Sequence, residues 1–109
     1  MPTNAAFAQP PASIRRPKWG FTPRELEILE RLYWGDTASD ISAKLGTSRR
    51  TVEAQIRGLR AHYRVTNVIQ LQRAIEARAQ AQGQVDLLKQ ISNWQIAAYQ
   101  AMRAKQGDS

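Results

Sequence analysis

The feature that most constrains this chain is a helix break at Gly46-Thr47-Ser48 between two short amphipathic segments. Before the break, Thr37 reads as an N-cap with Asp40 three residues on, and Ile41 and Leu45 share a face at i, i+4. After it, Ser48 reads as an N-cap. Val52, Ile56, Leu59 and Tyr63 then fall at i, i+4, i+7 and i+11, one apolar stripe of a helix running to about His62. Two short helices joined by a tight turn containing glycine make a helix-turn-helix. Ile41, Leu45, Val52 and Ile56 are the residues expected to fix the angle between them. Opposite the stripe lie Arg49, Arg50, Glu53, Ala54, Arg57, Arg60 and Arg64. Five arginines against one glutamate give Ser48–Arg64 a formal charge of +4, more than half of the +7 carried by all 109 residues. An outward arginine face of this kind can neutralise phosphates and form bidentate contacts to guanine O6 and N7.

The rest of the chain reads as helix with tails. Residues 1–18, rich in Ala, Pro, Gln and Ser, are expected to form a disordered tail. Its basic end, Arg15, Arg16 and Lys18, is either a solvated linker or an arm that tracks phosphates or the minor groove. A first helix opens with Thr22 as N-cap, Pro23 at N1 and Glu25 completing a capping box, with Phe21 placed to staple onto it. Leu26, Ile28, Leu29, Leu32 and Tyr33 supply its apolar face, and Gly35 ends it. A fourth helix starts near Asn67 on the stripe Val68, Leu71, Ile75 and Ala79, and breaks around Gly83. A fifth spans about 84–105, with Leu87, Ile91, Trp94, Ala98 and Met102 on one side and Leu88 and Tyr99 beside them. There is no internal repeat and no convincing strand. The expected fold class is therefore all-α, with a helix-turn-helix domain over 19–80 and an additional C-terminal helix.

Composition excludes several function classes. Without cysteine there is no disulfide framework, thiolate nucleophile or cysteine zinc site. The single histidine, His62, has no partner set for catalysis or metal binding, so no enzyme activity, cofactor or metal is expected. No apolar run is long enough to span a bilayer, and the N-terminus lacks the pattern of a secretory signal. A cytoplasmic location is expected, with no membrane partner.

The blocks Thr22-Pro23-Arg24-Glu25-Leu26-Glu27-Ile28-Leu29, Gly35, Asp40–Gly46, Ser48, Thr51-Val52-Glu53 and Val65-Thr66-Asn67 occur in an order and spacing that resembles the LuxR-type (GerE-like) helix-turn-helix domain of bacterial regulators. The resemblance covers Phe21 to about Ile75. It implies a four-helix domain that binds double-stranded DNA, usually as a dimer with the fourth helix at the interface. It implies base-facing positions at Glu53, Ala54 and Arg57, and positions near phosphates at Arg50 and Thr51. Glu53 departs from the basic residue common there: it could accept from cytosine N4, or pair along the helix with Arg49, Arg50 or Arg57. Arg64 stands where glycine is frequent, and Tyr63 where leucine is usual. The family's usual sensing domain does not precede the motif, so the chain resembles a stand-alone regulator, bacterial or phage-encoded and nucleoid-associated when bound.

Two functions follow as expectations. One is a sequence-specific transcription regulator, a homodimer with Arg49, Arg50, Thr51, Glu53, Ala54, Arg57 and Arg60 at DNA. The other is an interaction protein, such as an anti-activator, that binds a regulator or RNA polymerase through the fifth helix. For either, Leu71, Ile75, Leu87, Ile91, Trp94 and Met102 are the expected dimer or partner surface; the alternative for the fifth helix is that it folds back to cover the small core. Trp19 and Trp34 read as packing at the core edge rather than as base-stacking platforms.

Overall fold

The computed structural model describes residues 18–107. The tail expected over 1–18 lies outside this range except for Lys18. Among the described residues the elements are α1 (Pro23–Tyr33), α2 (Ala38–Leu45), α3 (Arg49–Tyr63), α4 (Val68–Ala81) and α5 (Val85–Gly107). No strand is present among them; one isolated antiparallel bridge joins Lys18 to Phe21.

Local chemistry sets the helix starts. Thr22 and Glu25 exchange side-chain-to-backbone hydrogen bonds of 2.9 and 3.1 Å, and Thr37 and Asp40 do the same at 3.0 and 3.2 Å. Two of the orphan N–H groups at each helix start are thereby satisfied. Ser48 Oγ accepts from Thr51 N, and Asn67 Oδ1 accepts from Gln70 N. Between α1 and α2, Asp36 holds Arg31 at 3.5 Å and Lys44 at 2.9 Å, joining the two helices through one carboxylate.

The core draws on every helix. Phe21, Ile28, Leu29, Leu32, Ile41, Val52, Ile56, Leu59, Leu71, Ile75 and Ala79 are buried together with Leu87, Ile91 and Trp94. Here α2 packs on α3, α3 on α4, and α5 lies across α1 and α4. Phe21 stacks on Tyr63 of α3, with ring centres 6.4 Å apart. Tyr33 of α1 meets the Trp94 ring at 5.8 Å and donates its hydroxyl proton to Glu76 Oε2 of α4 at 2.6 Å, so one side chain links three helices. Burial first, and then the Glu76 hydrogen bond, push the Tyr33 hydroxyl well above its ordinary range.

The fifth helix corrects one expectation. Leu71, Ile75, Leu87, Ile91 and Trp94 were expected to face a partner, but all five are at most 7% exposed and fill the chain's own core. The reason is geometric. Gly83, at φ +66°, turns the chain back after α4, so the stripe at the start of α5 closes over α1 and α4. Of the six residues only Met102 remains exposed, together with Ile96 and Tyr99. The helix also continues to Gly107, beyond its expected end.

Candidate nucleic-acid interface

The angle between α2 and α3 depends on a left-handed residue. Gly46 caps α2 at φ 66°, ψ 33°, a conformation costly for residues with a Cβ. Thr47 N then donates to Ser42 O at 3.1 Å, and Ser48 begins the next helix two residues after the glycine. Ile41 and Val52 are fully buried where α2 meets α3, and Ile56 and Leu59 continue inward along α3. With one side so fixed, the other side of α3 must face outward.

On that side Arg50, Ala54 and Arg57 are exposed, as are Gly58 and Ala61. Helical spacing puts these five on one arc opposite the buried stripe. Arg50 and Arg57 make no hydrogen bond, ion pair or ring contact among the described residues, so both guanidinium groups are available to an anion. The centre of the arc is small: Ala54, Gly58 and Ala61 leave the helix backbone close to its own surface. Gly58 was not singled out by sequence reasoning. Its signal is a glycine inside an otherwise regular helix, and a Cβ built there would meet nothing within 4 Å. Core packing therefore does not require it.

The remaining expected contact residues are engaged within the chain. Arg49 Nε donates to Glu53 Oε2 at 3.0 Å, which selects one of the three pairings open to Glu53. Thr51 receives a 2.8 Å hydrogen bond from Ser48 Oγ and forms part of the α3 cap. Arg60 Nη1 donates to Thr66 O at 3.0 Å and braces the α3–α4 loop. Arg64 adopts the left-handed conformation at φ 58°, ψ 46°, with its N–H directed at Arg60 O and Ala61 O. Glycine adopts that conformation most readily, and here the Arg60 brace closes the same loop around an arginine.

The aromatic residues at the domain edge pack rather than project. Trp19 is half-buried against the core, with Lys18 4.5 Å above its ring, and Arg31 lies 5.3 Å over Trp34. His62 is exposed, with Arg78 Nη1 3.2 Å from its Nε2. Among the described residues there is no group of three or more His, Cys, Asp or Glu that could hold a metal ion. No described helix is long and apolar enough to cross a membrane.

The arrangement is thus a basic, shallow helix face braced on one side by a second helix and on the other by a closed loop. A profile of the family described as "GerE: Bacterial regulatory proteins, luxR family" matches residues 20–75, which contain α1 to α3, the three turns that lead up to α4, and the first half of α4. No curated protein and no solved structure matches the chain significantly.

Proposed function

Because this chain belongs to the luxR family of bacterial regulatory proteins, which are DNA-binding helix-turn-helix transcription regulators, we propose that it recognises a specific duplex sequence by laying α3 in the major groove. The observation that carries this reading is the pair of guanidinium groups, Arg50 and Arg57, that have no partner among the described residues, on the arc floored by Ala54, Gly58 and Ala61. Arginines held outward on a small-residue surface reach phosphates and base edges without moving the fold. Thr51 sits beside them at the start of the helix, close to where a phosphate would pass.

The test measures binding of the full chain to duplex DNA over a range of salt concentrations. Arg50→Ala and Arg57→Ala should each weaken binding without lowering the melting temperature. Loss of a phosphate contact should reduce the slope of log K against log salt by about 1. Unaltered affinity in both variants would rule out this face as the DNA surface.

The regulator acts as a dimer on a two-fold-related site, at the chromosome in the cytoplasm. The exposed stripe Ile96, Tyr99 and Met102 of α5 supports pairing, since three large apolar side chains there are each at least 50% exposed. The same stripe supports the second reading, an interaction protein that docks on another regulator or on RNA polymerase. Sedimentation of the pure full chain separates the two. A dimer that dissociates on Tyr99→Asp fits self-pairing, whereas a monomer at all concentrations favours a foreign partner.

A further inference from the structure

We infer that Arg49 and Glu53 form a base-reading unit in which Glu53 is a positioning residue and Arg49 reads a guanine. This rests on the reading of α3 as the major-groove helix. The carboxylate takes Nε of Arg49 at 3.0 Å, across one turn of helix. An arginine offers donors along its side, through Nε, and at its end, through Nη1 and Nη2. With Nε occupied, the end-on fork is the pair left to face a ligand, and its two parallel N–H groups match the O6 and N7 acceptors of guanine.

Exposure fits that role. The Arg49 side chain is 66% exposed and Glu53 is 40% exposed, so the fork projects while the carboxylate sits lower on the helix. Arg49 is also the first residue of α3, at the end from which a recognition helix contacts base edges. Fixing the fork removes rotamer freedom that a solitary arginine would lose on binding.

The pairing has a second effect on any duplex. Glu53 cancels one positive charge beside the backbone, so the pair contributes little to attraction that ignores sequence. Arg50 and Arg57, without partners among the described residues, supply that attraction. Glu53 therefore shifts Arg49 from neutralising phosphate to discriminating a base. It should make binding weaker on random DNA and sharper on the chosen sequence.

The experiment selects bound duplexes from a random library with the full-length protein, then measures affinity for the selected site, for each single base-pair change, and for random DNA. In the wild type, one G·C pair should carry a preference on the order of 10- to 100-fold that depends on Arg49. Arg49→Lys keeps the charge but not the fork; it should erase the preference at that pair alone and leave the salt slope unchanged. Glu53→Gln should erase most of the same preference while binding random DNA more tightly than wild type. A merely structural role for Glu53 would weaken both bindings together. The inference is overturned if Arg49→Lys retains the full preference, or if Glu53→Gln leaves it unchanged. If the wild type enriches no sequence and ignores duplexes at low salt, the reading of α3 fails first, and the failure is visible before any variant is made.

Discussion

Removing one hydroxyl, in Tyr33→Phe, should loosen the junction of three helices without touching the proposed DNA face on α3. The phenylalanine ring keeps the Trp94 contact at 5.8 Å and fills the same space. What disappears is the 2.6 Å hydrogen bond to Glu76, leaving a half-buried carboxylate with a lost donor. Hydrogen bonds to charged groups contribute about 1.5–3 kcal/mol, and partial access to water places this one near the lower end, about 1.5 kcal/mol. For a domain of this size that corresponds to a fall in melting temperature of about 6–12 °C. The assay is thermal unfolding followed by circular dichroism, with Tyr33→Phe/Glu76→Gln as the companion variant. The double variant should recover part of the loss, because a neutral amide is less costly to leave without its phenol.

The same hydroxyl predicts a pH dependence. Burial and Glu76 raise the Tyr33 pKa above its unfolded value near 10. Below pH 10 the hydroxyl is neutral in both states and its contribution is complete. Above pH 10 the unfolded chain ionises first, so unfolding gains and the contribution declines. The stability gap between wild type and Tyr33→Phe should therefore be constant from pH 6 to 9 and narrow above 10. A Tyr33→Phe protein within about 0.5 kcal/mol of wild type at pH 7, the usual spread of surface changes, would refute the assignment of this bond as a helix tie.

Two further outcomes follow from the turns that frame α3. Arg60→Ala should destabilise the fold by about 1 kcal/mol through loss of the Thr66 carbonyl contact, whereas Arg57→Ala should not; equal melting temperatures for the two would deny the brace. Gly46→Ala should cost about 1–2 kcal/mol in denaturant unfolding from its left-handed backbone alone, since open space surrounds the position, and Gly46→Asn should cost less. An alanine variant as stable as wild type would mean that the turn relaxes to another conformation.

Much of this arrangement was legible because it is local. Thr22 with Glu25, Thr37 with Asp40, and Ser48 and Asn67 each announce a helix start through groups three residues apart. The Val52–Tyr63 stripe orients α3 by periodicity alone. Other features depend on distance in space rather than in sequence. Arg60 has the same composition cue as Arg57, and only the path of the α3–α4 loop puts a carbonyl in its reach. Glu53 had three arginines at helical spacing, and spacing does not choose among them. Leu87, Ile91 and Trp94 form a stripe that looks the same whether a partner or the chain's own core covers it, so the reversal at Gly83 decided what periodicity left open. Gly58 carried a signal that sequence reading passes over, because a helix glycine registers as weakness rather than as clearance.

The closure of α5 over α1 and α4 has a practical bearing on how this module can be moved. The family match stops at residue 75, yet Ala79, Leu87, Ile91 and Trp94 beyond it are buried. Fully burying a large apolar side chain contributes about 1.5–3 kcal/mol, so Leu87, Ile91 and Trp94 together approach the whole net stability of a small domain. Cutting the gene at the family boundary would uncover an oily flank and leave a fragment prone to clump. A graft of this helix-turn-helix module onto another protein should carry the chain at least through Trp94.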